Sequence, residues 1–445
     1  MKKKIKEAIE KLNALAEKKP IKIISHFDTD GITSAAIFSR ALQRWDKKFS
    51  LKIVKSLDEQ FIKSLPDSHI LIFLDLASGS FQNLAKKSTE IIILDHHEIP
   101  ENQKIPDNIL IINPTLENNE QVSSAGLCYL FAKTLSLQNI DLANLAIIGM
   151  VGDILDQNLS REYDEILKDS QTTVKRGLLI YPSTRPLNKA LEYSSSPYIP
   201  GVTGSFKGTL ELLREANIPQ NNRTYKALYE LNEQEMSNLV TAIILRSAKD
   251  KNDTETSKLI GNLYLVKFHN KLEDAREISA LINACSRMDF PEISLGFCLG
   301  NSIYIKRAEK IYVEYKQHLI SALKHVQEEA EKITGKDYTI INARNKIKDT
   351  IIGTVASIIS HSPLYEEGNV IIALAYNEDK IKVSARITGK NKNKNVREIL
   401  TRATIPLGGE VGGHPNAAGC LIPIEKESQF INELKKVLDI EVVEV

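Results

Sequence analysis

Carboxylate and imidazole side chains gather in this chain at the ends of short apolar runs. Ile91-Ile92-Ile93-Leu94 leads directly into Asp95, His96 and His97. Ile21-Lys22-Ile23-Ile24-Ser25 leads into His26, Asp28 and Asp30, with Gly31 next. Ile70 to Leu74 leads into Asp75, and an apolar stretch from Leu145 to Val151 ends in Gly152, Asp153 and Asp156. Singly, such an Asp reads as a turn residue or a helix N-cap, and a His pair as a satisfied surface or core pair. Together they read differently, because carboxylates packed on one rim repel each other unless a cation neutralises them. Oxygen and imidazole donors without a thiolate suit manganese or magnesium better than structural zinc. The chemistry that follows is a two-metal site, in which bound water becomes the nucleophile and both oxygens of a phosphoester displacement are clamped.

The elements that must position these residues are legible in the same runs. Short stretches rich in β-branched residues suit strands buried on both faces. In an open parallel sheet, ligands bind at the C-terminal strand ends. Residues 1 to about 18 read as a lead-in helix, with Ile5, Ala8, Ile9, Leu12 and Leu15 at helical spacing and Pro20 beyond its end. Gly31 permits a tight turn between the first ligands and a helix running to about Trp45, where Ser34 is either a phosphate contact at the helix N-terminus or simply a first-turn residue. Strand and helix alternate through Ile109 to Asn113 and a helix from about Ser123 to Leu135, with Asn113-Pro114 a turn. This is α/β with a mostly parallel sheet.

From about Leu159 the pattern changes to long polar helical segments. Tyr181 to Pro186 and Ser194 to Gly204 read as loops, residues 206 to 250 as short inserted helices, and Asp250-Lys251-Asn252-Asp253 as an exposed break. Arg185 and Lys189 are either surface charge or the lining of a nucleic-acid path. Residues 302 to about 334 read as one connecting helix, with a coiled-coil dimer disfavoured because its apolar stripe is not a strict heptad. From Gly335 a second α/β unit reads strand (Tyr338 to Asn342), helix (Thr350 to Ser360), strand (Asn369 to Tyr376), strand (Ile381 to Ile387) and helix (Val396 to Ala403). It ends in Gly408 to Gly419, where dense glycines permit close backbone approach to an anion and His414 is placed to hydrogen-bond a phosphate. The expected domains are therefore residues 1–195, 196–334 and 335–445.

Lys and Arg number 58 against 57 Asp and Glu, a net charge of +1, so any basic surface is local. It lies between Lys380 and Arg402, where eight basic residues (Lys380, Lys382, Arg386, Lys390, Lys392, Lys394, Arg397, Arg402) face one acidic residue, Glu398. This stretch is either a solvated lysine loop or a track for a nucleic-acid backbone with salt-dependent binding. Lys2-Lys3-Lys4 precedes no apolar signal segment, and no apolar run reaches the roughly 18 residues of a membrane span. Cys128, Cys285, Cys298 and Cys420 form no C-x-x-C pair and read as reduced, buried small hydrophobes, which points to a cytoplasmic protein.

The order His26-Phe27-Asp28-Thr29-Asp30-Gly31, then Asp75, then Asp95-His96-His97, then Gly152-Asp153-x-x-Asp156 resembles the four motifs of the DHH phosphoesterase superfamily. Gly412-Gly413-His414-Pro415-Asn416-Ala417-Ala418-Gly419 resembles the signature of the DHH-associated C-terminal domain. Ser384-Ala385-Arg386 stands where that domain has its phosphate-binding Ser and Arg, but it continues as Ile387-Thr388 instead of a second Ser. Asn283-Ala284-Cys285-Ser286-Arg287 resembles the N-A-x-x-R stretch of RecJ-type members, and is either a structural helix with a surface Arg or a substrate contact. In combination these are most similar to the archaeal RecJ-like exonucleases, including the GINS-associated nuclease.

The resemblance implies a parallel-sheet catalytic domain, a helical linking region and a smaller α/β C-terminal domain, with the active site in the cleft between them. It implies His26, Asp28, Asp30, Asp75, His96 and Asp153 as ligands of two Mn2+ or Mg2+ ions, Asp75 as the bridge, and Asp95 and His97 as catalytic. Ser384, Arg386, Gly412, Gly413, His414 and Asn416 would bind substrate. The implied activity is release of mononucleotides from single-stranded DNA or RNA, in replication or repair, with GINS and the replicative helicase as partners and no membrane. Two other readings stand beside it: a nanoRNase or cyclic-dinucleotide phosphodiesterase, and a replisome scaffold subunit.

Overall fold

A computed structural model describes residues 1–99, 104–116, 121–156, 159–194, 199, 201–221, 224–248, 259–362, 365–389, 394–409 and 411–441. The chain divides into two compact units, Met1–Tyr312 and Val313–Val445.

In the first unit the apolar runs form β1 (Ile21–His26), β2 (Phe49–Val54), β3 (Ile70–Leu74), β4 (Ile91–Leu94) and β5 (Ile109–Ile112). They pair in the order β2-β1-β3-β4-β5, all parallel. Ile70 to Leu74 and Ile91 to Leu94 are fully buried, as strands covered on both faces must be. β2 is an edge strand and alternates exposed and half-buried residues, hence Ser50 and Lys52 among its apolar positions. The strand order reverses between β1 and β3, and at such a switch point an open sheet leaves a crevice beyond its carboxyl ends.

Three buried helices floor that crevice: Thr29–Arg44, Ser124–Leu135 and Ala143–Gly152. The last is apolar all round, so its periodicity marks no solvent face, and the stretch before Asp153 is a helix. The four cysteines are buried and unpaired.

The middle of this unit carries an antiparallel sheet that the helical expectation for it does not contain. Thr173–Leu178 pairs with Ile260–Phe268, which pairs with Lys271–Asp274. Thr173-Val174-Lys175-Arg176-Gly177 has no clean alternation, and its partner is some eighty residues away, so pairing outweighs local propensity. The helices Phe206–Glu215 and Glu233–Ala248 are present. The break at 250–253 and parts of the 194–204 loop fall outside the described residues.

The helix beginning at Ser302 ends at Glu328, short of the expected 334. Glu331–Thr334 instead pairs antiparallel with Tyr338–Asn342, because an adjacent strand edge offers its backbone ladder hydrogen bonds. In the second unit the sheet runs Glu331–Thr334, Tyr338–Asn342, Val370–Asn377, Lys380–Ile387, Ala417–Pro423, Val411–His414. The helices Asp349–Ser360, Val396–Thr404 and Glu427–Glu441 accompany it. Among the described residues no helix is long and apolar enough to cross a membrane.

Candidate metal centre

β1 delivers His26 at its last position, and the chain turns at once into the helix Thr29–Arg44. Asp28 is that helix's N-cap, its Oδ1 accepting from the Gly31 amide at 3.0 Å. A methyl group at Gly31 would lie 2.3 Å from the His26 carbonyl oxygen, so the turn needs glycine. Asp30, one residue into the helix, is fully buried and accepts from the amides of Ser124 (2.7 Å) and Ala125 (3.0 Å) at the start of a second helix. Asp75 follows β3 with φ of 61°, a left-handed conformation that a non-glycine residue adopts only when its surroundings enforce it. Ser124 Oγ donates to Asp75 Oδ1 at 3.0 Å. Asp153 caps the C-terminal end of Ala143–Gly152.

These side chains converge. His26 Nδ1 lies 2.9 Å from Asp28 Oδ2 and 3.3 Å from Asp75 Oδ2. His96 Nε2 lies 2.9 Å from Asp153 Oδ2, 3.4 Å from Asp75 Oδ1 and 3.9 Å from Asp30 Oδ2. Donor atoms of Asp30, Asp75, His96 and Asp153 all lie within 4.8 Å of one another, as do those of His26, Asp28 and Asp75 and those of Asp75, His96 and His97. Asp75 belongs to all three, and so links the His26–Asp28 group to the Asp30–His96–Asp153 group. His26 Nδ1, His96 Nε2 and Asp75 Oδ2 are buried and make no properly angled hydrogen bond despite these short separations. Buried polar atoms aimed at a common space without mutual hydrogen bonds fit a cation, and the oxygen and imidazole donors fit Mn2+ or Mg2+.

Electrostatics agree. Burial opposes a charged His26, but Asp28 and Asp75 outweigh it and raise its pKa well above the usual imidazole value. His96 is likewise raised well above, burial being outweighed by Asp153 and Asp75. Burial, with the neighbouring charges of Asp75 and Asp153, pushes Asp30 well above the carboxylate range. Asp75 stays well below that range despite its burial, because both imidazoles face it. The carboxylates thus favour the protonated forms of His26 and His96. Metal binding requires neutral imidazoles, so it must expel those protons. Mn2+ titrated into metal-free protein at pH 7 is therefore expected to release at least about one proton per molecule, with affinity falling as pH is lowered. Calorimetry in buffers of different ionisation enthalpy reads this directly, and a heat that does not change with buffer would contradict it.

Asp95 and His97 form a pair at the edge of this cluster, and a His97 ring nitrogen also lies within 4.8 Å of donor atoms of Asp75 and His96. Asp95 is fully buried and its Oδ1 lies 2.7 Å from His97 Nδ1, while Oδ2 accepts from the Ser78 amide at 3.0 Å. His97 is half exposed, at 51% for its side chain, and its pKa is raised by the Asp95 contact. Asn113 Nδ2 donates to the His97 carbonyl at 2.9 Å and to Ser78 Oγ at 3.2 Å. Asn113 does more than turn the chain, and Ser78, Ser124 and Asn113 are site residues that the motifs do not reveal. Asp156 does not join the groups, and its carbonyl accepts from the Tyr264 hydroxyl.

Elsewhere, Arg185 lies 3.3 Å from Glu273 and 3.2 Å from Glu277, and Lys189 lies 3.1 Å from Glu192. Both are exposed and paired with neighbouring carboxylates. In the second unit, Arg386 Nε donates to Ser357 Oγ at 2.8 Å and Nη1 to the Ala385 carbonyl at 2.8 Å, which fixes the guanidinium. Ser384 is buried beside it on the same strand, and Gly412, Gly413, His414 and Asn416 are exposed at the edge strand and its turn. Lys394 is held by the Gly368 carbonyl at 3.0 Å, and Lys390 and Lys392 lie outside the described residues.

The Asp28 geometry separates its two roles. Asp28→Asn keeps an oxygen for the Gly31 amide but removes the charge. It should unfold like the parent yet lose metal-dependent turnover. Asp28→Ala should lose turnover and also about 1 kcal/mol of stability, the cost of a missing N-cap. Thermal unfolding with a turnover assay distinguishes the two, and an active Asp28→Asn protein would remove the carboxylate from the site.

Comparison with known proteins agrees with this architecture. Residues 20–150 match the DHH family, N-terminal domain, residues 180–260 the DHH-CID domain, and residues 337–439 the DHHA1 domain. An uncharacterized protein of Methanocaldococcus jannaschii is 28% identical over 440 residues, covering 94% of this chain and 93% of its own. RecJ of Thermus thermophilus, solved in complex with Mn2+, has a TM-score of 0.60 at 18% identity over 98% of this chain and 54% of its own, so this chain spans about half its length. Cdc45 of Entamoeba histolytica has a TM-score of 0.66 at 13% identity over 98% of this chain and 99% of its own. At these identities the two structural likenesses are of fold.

Proposed function

We propose that this chain, which matches the DHH, DHH-CID and DHHA1 domains and shares the RecJ fold, is a RecJ-like, metal-dependent single-strand exonuclease that hydrolyses terminal phosphodiesters to release mononucleotides. The observation that carries this reading is the complete donor set converging on one crevice, with Asp75 common to both groups. In this reading His26 and Asp28 hold one divalent cation, Asp30, His96 and Asp153 hold a second, and Asp75 serves both. The pair of ions, Mn2+ or Mg2+, supplies Lewis-acid activation of water and of the scissile phosphodiester. Asp95 engages His97 Nδ1 and favours the imidazolium, and in that form the ring also has an Nε2–H to donate to a phosphate oxygen. Ser384, Arg386, Gly412, Gly413, His414 and Asn416 bind substrate phosphate. The proposed setting is cytoplasmic replication or repair.

The test is a time course on single strands of DNA and of RNA, labelled at one end or the other, with Mn2+, Mg2+ or EDTA. Stepwise release of mononucleotides from one end is expected, abolished by EDTA. Turnover confined to dinucleotides and very short oligomers would move the assignment to a nanoRNase-like phosphodiesterase. A second role proposed beside catalysis is that of a replisome subunit bound to GINS and the replicative helicase, with which the fold shared with Cdc45 is compatible. GINS capture by a metal-site variant would support that role, and its loss in a folded variant would count against a separable scaffold.

A further inference from the structure

The turn that carries three of the ligands is gripped from outside the motif. Thr29 stands between Asp28 and Asp30, is almost fully buried, and is the first residue of its helix. Its amide is one of the donors that a helix N-terminus leaves without an intrahelical partner. Asn283 Oδ1 accepts from that amide at 3.1 Å. One turn earlier on the same helix, Ala275–Arg287, the Ser279 carbonyl accepts from Thr29 Oγ1 at 3.0 Å, and Ser279 Oγ donates to Thr29 Oγ1 at 3.1 Å. Residues four apart on a helix share a face, so Ser279 and Asn283 reach Thr29 together. From the other side Gly152 closes in, where a methyl group would lie 2.8 Å from the Thr29 side chain. Gly152 directly precedes Asp153. Thr29 is thus pinned between the helix 275–287 and the chain end that delivers Asp153, with a ligand on either side of it.

We infer that Asn283 is a positioning residue for the metal centre: by holding the Thr29 amide it fixes the direction in which Asp28 and Asp30 are presented. This rests on the reading of those carboxylates as metal ligands. It gives the Asn of the N-A-x-x-R stretch a role in holding the ligand turn. Residues that orient metal ligands are typically worth about 10- to 100-fold in metal affinity or activity.

The experiment compares Asn283→Leu, which has no acceptor, with Asn283→Asp, which retains one. Two quantities are read: Mn2+ affinity by calorimetry, and hydrogen exchange of the Thr29 amide in the metal-free protein. Asn283→Leu should weaken Mn2+ binding about 10- to 100-fold and accelerate exchange at Thr29, with KM for the strand unchanged. Asn283→Asp should restore both. Wild-type affinity and wild-type Thr29 protection in Asn283→Leu would overturn the inference, as would equal losses in both variants. If Asn283→Leu does not fold, Thr29→Val, which removes the hydroxyl gripped by Ser279, should shift Mn2+ affinity in the same direction, and an unshifted value would overturn the inference. Failure of the parent protein to bind Mn2+ would instead overturn the metal reading, with Thr29 exchange still testing the clamp.

Discussion

Asp75→Asn is expected to leave a folded protein that has lost nearly all metal-dependent turnover. Asparagine has the same shape and can still accept from Ser124 Oγ, so the buried scaffold of the site keeps its hydrogen bond. It cannot supply the charge on which both donor groups depend. Asp75 is the member shared by the His26–Asp28 group and the Asp30–His96–Asp153 group. Its loss weakens both halves of the centre at once. Two-metal stabilisation of a phosphoester transition state is worth several kcal/mol. At 1.36 kcal/mol per decade, losing about 4 kcal/mol of it corresponds to roughly a thousand-fold fall in rate. Turnover with Mn2+, read beside circular dichroism and a calorimetric metal titration, checks this. A variant with near-parental turnover would remove Asp75 from its shared role, whereas a variant that binds one equivalent of Mn2+ but is inactive would strengthen it.

The second large effect is a destabilisation where helix propensity predicts a gain. Gly149 lies inside the helix Ala143–Gly152, and glycine to alanine in an unhindered helix interior gains about 1 kcal/mol. Here the added methyl would lie 2.5 Å from Ala125 Cβ, 2.5 Å from Asp30 Oδ1 and 2.8 Å from Thr33 Oγ1. None of these is the free end of a flexible side chain. Asp30 is locked by the Ser124 and Ala125 amides, and Thr33 Oγ1 donates to the Thr29 carbonyl. Gly149→Ala should therefore lose about 1–3 kcal/mol through overpacking. It should also weaken Mn2+ binding, because Asp30 is the atom group in the way. Gly79→Ala, with nothing within 4 Å of the added carbon, is the control and should be silent in both assays. A Gly149→Ala protein with raised thermal stability and intact Mn2+ affinity would contradict this packing.

Much of the site was legible in the chain because strand ends are legible. A short β-branched run followed by a polar residue predicts both a buried strand and what it presents at its end, as at Leu74-Asp75 and Leu94-Asp95. In the second unit Tyr338–Asn342, Asp349–Ser360, Val370–Asn377, Lys380–Ile387 and Val396–Thr404 were similarly clear, whereas the strands Glu331–Thr334, Val411–His414 and Ala417–Pro423 and the helix Glu427–Glu441 were not, since their pairing and packing come from the fold. The middle sheet was not, because Thr173–Leu178 finds its partner in Ile260–Phe268, and nothing in either segment names the other.

What the sequence determined by itself is the chemistry: which residues can ligate, that they sit at element ends, and that oxygen and imidazole donors call for a hard or borderline divalent cation. Which donors share a space, and what holds them, emerges only in the packed fold. Residue types and spacing report on the backbone for a few positions either way. That Asp75 meets both imidazoles, that Ser124 and Ala125 lock Asp30, that Asp95 belongs to His97 and that Asn283 grips Thr29 depend on contacts between segments 17 to 254 residues apart or on side-chain direction. Those are set by close packing of strands and helices from the whole first unit, and close packing is a property of the fold, not of any stretch within it.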